Sequence, residues 1–236
     1  MIPKQIHYCW FGGNPLPAKA KKCIGSWRKF CPDFEIIAWD EAKFFRTFPE
    51  ADNGYAAMCL SEGKFAFLSD WARLLIIERF GGVYFDTDVE VIRPLDDLLD
   101  TAFFGFENDR YVATGLGFGA EPHQEAVLAM LDAYSIYLDG KHGTRGCPEL
   151  NTEALEKLGL VRDGKRQNVG GAVIYPADFF NPYDDPTGRL LVTENTHTIH
   201  WFAKSWMSGA EVWRSRFTRP FHRLFGTDVF HKKRDL

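Results

Sequence analysis

Asp86 and Asp88 stand two residues apart behind a short apolar run, Val83-Tyr84-Phe85. In extended chain, side chains at that spacing project to the same side. Two carboxylates so placed can hold a hard divalent cation through oxygen and leave coordination positions open for phosphate oxygens. Upstream, Asp70 and Arg73 are three residues apart, which makes them neighbours on one helical face. A negative and a positive group beside a metal suit a sugar diphosphate, which presents hydroxyls and phosphates together. Each feature alone has a plainer reading: an Asp-x-Asp recurs by chance, and Asp70 with Arg73 is the pattern of a surface ion pair. Their combination within one block of residues 69–95 is far more specific.

The block carries the elements that must position these groups. Phe67, Trp71, Leu74, Leu75 and Glu78 recur at three- and four-residue spacing, predicting a helix with one largely apolar face. Gly81 follows where a left-handed cap belongs, Gly82 allows a sharp turn, and the β-branched and aromatic run 83–85 begins a strand. Towards the N-terminus, Ile6, Tyr8 and Trp10 alternate with Gln5, His7 and Cys9 as a first strand, which Phe11-Gly12-Gly13-Asn14-Pro15 breaks into a loop. Ligands of open α/β sheets bind beyond the carboxyl ends of strands, so Trp10, Phe11 and Gly12 are candidate nucleotide contacts. A basic helix over 17–30 and a strand over 34–39 follow, with Asp40 as a helix cap. Further strands are predicted over 101–106, 112–119, 170–175 and 196–201. In the second of these Gly115, Gly117 and Gly119 alternate and leave one face bare. A helix is expected from Glu121-Pro122-His123 to residue 137, and the glycine- and charge-rich stretch 139–171 reads as a mobile loop before a helix at 152–158. Two nearby acids rarely complete a metal site, and His200 in the late strand, with His197 as its alternative, offers the missing ligand; histidine suits Mn2+ better than Mg2+. His7 reads as a structural hydrogen-bonding group.

Composition limits the rest. The 236 residues, 45% hydrophobic, can bury one good core, and a net charge of −4 gives no reason to expect a nucleic-acid partner. Five cysteines (Cys9, Cys23, Cys31, Cys59, Cys147) show neither zinc nor disulfide spacing. No signal peptide or apolar run of membrane-spanning length stands out. The chain is expected to be reduced, soluble and cytoplasmic. Residues 213–236 differ in character: seven basic residues against two acidic ones, a net +5, interleaved with Trp213, Phe217, Phe221, Leu224, Phe225 and Phe230. Such a tail can lie on the anionic inner face of a membrane, or pack on the body, with Pro220 and Gly226 interrupting any long helix.

Ser69-Asp70-x-x-Arg73 followed by Gly81-Gly82-x-Tyr84-x-Asp86-x-Asp88-Val89 resembles the signature of the DXD sugar transferases, glycosyltransferase family 32, and of the related glucosylating toxin domains. The start, Ile2-Pro3-Lys4-x-Ile6-His7-x-x-Trp10-x-Gly12, is similar to the opening of the same family. The resemblance implies a GT-A fold, a nucleotide-sugar donor, Mn2+ or Mg2+, and retention of anomeric configuration. It implies that Asp86 and Asp88 serve ribose and metal, that Asp70 and Arg73 hold the donor sugar, and that Trp10 lies against the base, uracil. By the same resemblance His200 is a metal ligand, and Ser205 and Trp206 contact the diphosphate from a closing flap, with Lys204 as a further phosphate partner. Glu121 or His123 would reach the acceptor side. Where the family shows Gly-Pro followed by Thr, this chain has Gly146-Cys147-Pro148 and Asn151-Thr152, which unsettles the acceptor contact.

The expectation is therefore one α/β domain over residues 1–206, a GT-A arrangement with a mostly parallel central sheet, and a basic amphipathic tail over 207–236. Its function would be metal-dependent, retaining transfer of a hexose from a nucleotide-sugar, UDP-linked, to a glycan or lipid-linked saccharide, with Asp70, Arg73, Asp86 and Asp88 as the catalytic set. Two other classes share some features. A nucleotidyltransferase making the activated sugar needs a basic, glycine-rich loop after the first strand, and Phe11-Gly12-Gly13-Asn14 has no basic residue; a non-catalytic sugar-nucleotide-binding module needs neither the acid pair nor His200.

Overall fold

A computed structural model describes residues 1–203. Lys204, Ser205, Trp206 and the basic tail 207–236, and with them the expected domain boundary, lie outside the described residues. In chain order the elements are β1 (Gln5–Cys9), α1 (Ala18–Phe30), β2 (Glu35–Trp39), α2 (Glu41–Thr47), α3 (Gly54–Ser61), α4 (Phe65–Phe80), β3 (Gly82–Tyr84), β4 (Val89–Val91), β5 (Ala102–Asn108), β6 (Tyr111–Val112), β7 (Phe118–Ala120), α5 (Glu125–Ala133), α6 (Cys147–Glu156), β8 (Gln167–Val169), β9 (Ala172–Tyr175), β10 (Tyr183–Asp184), β11 (Arg189–Leu190) and β12 (Thr198–His200).

Eight of these strands form one sheet in the order β2-β1-β3-β7-β5-β9-β8, with β6 paired to β5. Strands β1, β2 and β3 are parallel, β7 runs against both β3 and β5, and β5 and β9 are parallel. Strands β1, β2, β3, β5 and β9 thus share one direction, and the sheet is mostly parallel. The shared direction puts Trp10, just after β1, Asp86, just after β3, and Glu107, near the end of β5, on one edge. Strand β12 pairs antiparallel with β4, His200 opposite Val89, and so delivers the late histidine to that same edge.

Side-chain alternation explains the two-sided core. Tyr84, Phe104, Phe106 and Phe118 join Trp39, Phe44, Trp71, Met130 and Leu155 on one face. Val83, Phe85 and Phe103 join Tyr8, Trp27, Val89, Val91 and Phe180 on the other. Both faces being covered, the strands read as continuous apolar runs instead of a polar–apolar alternation.

Helix α4 differs from its expected form. Leu68, Trp71, Ala72, Arg73, Leu74, Ile76 and Ile77 are all buried, so it is packed around most of its circumference and its apolar residues do not define one face. It stops where expected: Gly81 (φ +65°) donates to the Ile77 carbonyl at 2.9 Å, and Gly82 (φ +94°) turns the chain into β3. A Cβ on Gly81 would lie 2.8 Å from Pro122 Cδ and one on Gly82 2.9 Å from the Gln5 carbonyl, so both the torsion and the space demand glycine.

Three other expectations change. The glycine-alternating run 112–119 is not a single strand, because a 3₁₀ turn at Thr114–Leu116 separates β6 from β7. The helix expected from residue 121 begins at Glu125, capped by Gln124, and Glu121 and His123 pair with the Met1 amine and Glu78 (2.6 Å for the latter). They flank the far end of β7, opposite the acid pair, which excludes the acceptor role. The stretch expected as a mobile loop carries α6 from Cys147, with Pro148 in its first turn where its missing N–H costs nothing. His7 is structural as expected, its Nδ1 accepting from Trp39 Nε1 at 3.1 Å, and all five cysteines are unpaired and buried.

Trp27, fully buried, donates from Nε1 to the Val89 carbonyl at 2.8 Å, tying α1 to the strand that follows the acids. Trp27→Phe removes that donor and part of the ring area and should destabilise the chain by about 1–3 kcal/mol. A lower urea midpoint at unchanged slope checks it.

Candidate active site

The site is built around Arg73. Its side chain is 2% exposed, so its charge has almost no water and must be neutralised by protein. Asp70, one turn earlier on α4, forms an ion pair with its Nη2. Its Nη1 donates to both oxygens of Asp86, at 3.1 and 3.2 Å, and the Tyr84 hydroxyl adds a further donor to Asp86 at 3.1 Å. The guanidinium carbon lies 5.2 Å from the Tyr84 ring centre, and Cys147 Sγ stands 3.9 Å from Nη2. Burial alone would favour deprotonation, but Asp86 beside it raises the guanidinium pKa further and keeps it charged. The surface-pair reading of Asp70 and Arg73 is thereby overturned: this is a buried carboxylate–guanidinium–carboxylate bridge that joins α4 to the end of β3.

Asp86 and Asp88 meet by a turn, not by extended chain. Strand β3 ends at Tyr84, and the Val89 amide donates to the Asp86 carbonyl at 3.1 Å, closing a tight turn over residues 86–89. Asp88 Oδ1 then faces His200 Nε2 at 3.2 Å, Oδ2 accepts from the Ala203 amide at 2.6 Å, and the Asp88 carbonyl accepts from Trp201 N–H at 3.0 Å. Burial pushes the Asp88 carboxyl up, yet the His200 ring and the Ala203 amide outweigh it and hold the carboxyl down at about 2. Burial pushes His200 down, and Asp88, with Asp86 and Glu107 behind it, more than reverses this, so His200 is raised.

Asp86, Asp88 and His200 each offer one ligand atom, all within 4.8 Å of one another. Two oxygens and an imidazole nitrogen suit Mn2+ and are compatible with Mg2+. His200 Nδ1 is buried without a partner among the described residues, and Nε2 is the nitrogen that faces the acids. His197 takes a different course, its Nδ1 on the Asn195 carbonyl (2.7 Å), its Nε2 on Asp97 (3.1 Å) and its ring stacked on Phe179. It is a structural histidine, and the alternative ligand assignment falls.

At the neighbouring strand end, Trp10 is half-buried, with Nε1 donating to the Asn14 carbonyl at 2.5 Å. Phe11 is buried against Phe44, with ring centres 5.7 Å apart. The Gly12 amide donates to Glu41. The structure thus brings Asp70, Arg73, Asp86, Asp88 and His200 together, leaves Trp10 on the same edge, and commits the Phe11 ring and the Gly12 amide to the protein itself.

One contributor escapes sequence reasoning, and another, noted there only as part of a bare glycine face, takes a more specific role. Glu107, at the end of β5, is electrostatically coupled both to His200 and to Cys147, and burial raises its carboxyl while His200 opposes this. Its position at the carboxyl end of an apolar strand was the available signal. Gly115 is the other. A Cβ there would stand 2.4 Å from Asp86 Oδ2 and 3.0 Å from Arg73 Nη1, so the absence of a side chain is what lets the bridge close, and the Gly115 carbonyl accepts from the Asp86 amide at 3.3 Å. Three carboxylates, Asp70, Asp86 and Asp88, face one guanidinium and one imidazole, an excess of negative charge that suits a divalent cation.

Comparison with known proteins agrees with the geometry. Residues 17–104 match the family model described as a glycosyltransferase sugar-binding region containing a DXD motif. The chain is 30% identical over 124 residues to inositol phosphoceramide mannosyltransferase 1 of Schizosaccharomyces pombe, covering 48% of this chain and 39% of that protein. It is 30% identical over 159 residues to a lactosylceramide 4-alpha-galactosyltransferase of Pongo pygmaeus, covering 64% and 69% respectively. The chain spans less than half the length of several other curated relatives it matches. Among solved structures, PaToxG glycosyltransferase is similar with a TM-score of 0.52 at 19% identity, over 66% of this chain and 69% of that one, a likeness of fold.

Gly115→Ala tests the tight approach at the bridge. The added methyl cannot fit without moving Asp86 or Arg73, so the variant should lose about 1–3 kcal/mol of stability. Thermal and urea unfolding should both report it; a variant as stable as the parent would mean that the bridge has slack.

Proposed function

We propose, for a chain that belongs to the family of glycosyltransferases with a DXD-containing sugar-binding region, that it transfers a hexose from a nucleotide-sugar to a glycan or lipid-linked saccharide, with metal dependence and with retention of configuration. The observation that carries the reading is the convergence of Asp86, Asp88 and His200 within 4.8 Å, directly beside the Asp70–Arg73–Asp86 bridge. The arrangement fits the GT-A type of fold, in which the donor lies across the carboxyl edge of the sheet.

Asp88 and His200 would hold the ion, with Asp86 between ion and guanidinium. Bound there, Mn2+ or Mg2+ supplies Lewis-acid neutralisation of the charge developing on the departing diphosphate. Arg73 and Asp70 are fixed before any substrate arrives, which supports a role in orienting the sugar, since a pre-set geometry removes part of the entropic cost of reaction. Trp10 offers an aromatic surface at the neighbouring strand end for the base, and UDP is the nucleotide we favour. Ser205, Trp206 and Lys204 complete the proposal as diphosphate contacts. The acceptor side rests on the relatives: two of them are named for ceramide-linked substrates, which supports a lipid-linked saccharide and gives the basic tail a reason to meet the membrane surface.

Release of nucleotide from a panel of UDP- and GDP-sugars, measured with Mn2+, Mg2+ or EDTA, tests the reading. One donor should be hydrolysed slowly without acceptor, EDTA should abolish the reaction, and Asp88→Ala should reduce turnover by about 10²-fold or more. Metal-independent turnover, or an Asp88→Ala enzyme of normal rate, would refute it.

A further inference from the structure

We propose that Glu107 is a substrate-contacting residue of this site, its carboxylate accepting hydrogen bonds from hydroxyl groups of the sugar being transferred. The inference rests on the transferase reading and adds to it the residue that would read the sugar.

The topology places it. Val83 of β3 and Phe103 of β5 are both level with Gly119 of the intervening β7. Asp86 lies three residues beyond Val83 and Glu107 four beyond Phe103, so both reach the same edge. Two strand spacings, about 10 Å, separate the two strands. The turn around Gly115, which has no side chain, lies between.

A second strap fixes Glu107 relative to the histidine. Phe180 packs where a Gly105 side chain would be (2.5 Å from the built Cβ), and its carbonyl accepts from Thr198 Oγ1 at 3.1 Å. Phe179 accepts from the His197 amide at 2.8 Å, and Asn181 Nδ2 donates to the Glu107 carbonyl at 2.8 Å. The turn 179–181 therefore advances in step with β5 and β12. Two residues past Gly105 comes Glu107, and two past Thr198 comes His200. The Asn181 bond to Glu107 and the Thr198 bond to Phe180 thus bring the end of β5 and the end of β12 to neighbouring positions on the edge that carries the acid pair.

What sets Glu107 apart is its lack of commitment. Asp70 and Asp86 are taken by Arg73, and Asp88 by His200 and Ala203. Among the described residues none donates a hydrogen bond to the Glu107 carboxylate. A half-buried carboxylate is an acceptor only, and sugar hydroxyls are the donors that the proposed reaction would bring to it.

The test pairs Glu107→Gln and Glu107→Asp with donors that each lack one hydroxyl. Calorimetry with UDP or GDP and Mn2+ provides the control. Both variants should bind the wild type's nucleotide with unchanged affinity, since the nucleotide does not touch residue 107. With the full donor, kcat/KM should fall about 10- to 100-fold in Glu107→Gln and less in Glu107→Asp, a loss on the scale of one charged hydrogen bond. With the donor lacking the contacted hydroxyl, wild type and Glu107→Gln should react equally slowly, the non-additivity that marks a direct contact. Equal penalties on every donor, or nucleotide binding lost in both variants, would overturn the proposal in favour of a structural role. Wild-type protein that binds neither UDP nor GDP with Mn2+ would instead overturn the transferase reading beneath it.

Discussion

A guanidinium buried in the middle of an α/β domain has to be compensated on all sides, and much of this site's form follows from that requirement at Arg73. The desolvation of such a charge is recovered only through well-placed partners. Here they come from three different stretches of chain: Asp70 from the same helix, Asp86 from the turn after β3, and the sulfur of Cys147 from the first turn of α6. The compensation also dictates what must be absent, since the backbone at Gly115 passes so close that no side chain is tolerated there. The ionic bridge adds little net stability against an apolar filling, but it fixes the direction in which two carboxylates point.

The sheet supplies the other constraint. Parallel strands bring their carboxyl ends to one edge, and the chain uses that edge repeatedly: Trp10 follows β1, Asp86 follows β3, and Glu107 lies near the end of β5. The late strand β12 pairs with β4 instead of the main sheet, an arrangement that returns the chain to the edge and sets His200 against Asp88. Groups far apart in sequence, from residue 10 to residue 203, are thus gathered without any long loop having to hold them. Rigid backbone carries the candidate ligands, so the cost of ordering them is met during folding instead of at binding.

The central block was legible because its signals are local. A glycine pair after an apolar helix, then a short strand and two acids, fixes the order of elements without reference to anything distant, and the structure follows it to the residue at Gly81 and Gly82. What the pattern could not convey was depth. Asp70 and Arg73 at i,i+3 look the same on a surface as in a core, and only the packing of α3, α5 and the sheet around α4 distinguishes the two cases. The same limit applies to the histidines. His197 and His200 are three residues apart with similar neighbours, yet one is stacked on Phe179 and tied to Asp97 while the other meets the acid pair. Glu107 was passed over because a single acid at a strand end carries no pattern of its own, and its meaning comes from β7 separating β5 from β3. Residues 121–137 were misread at their start because Pro122 suggested a helix opening, whereas His123 adopts φ +61° and the helix waits for the Gln124 cap.

Both carboxylate oxygens of Asp88 are occupied, Oδ1 by the imidazole and Oδ2 by the Ala203 amide. An ion on Oδ2 would share that oxygen with the amide, since a carboxylate oxygen has two lone pairs, whereas an ion on His200 Nε2 would take the ring nitrogen away from Oδ1. An ion held by Asp88 would therefore be linked to the path of the backbone at residue 203. Whatever favours one arrangement of the chain at Ala203 changes the affinity for the ion, and the ion changes the chain by the same free energy. The acid pair would in this sense report on the backbone that caps it: a restraint applied at residue 203 would be read out as a change in metal affinity.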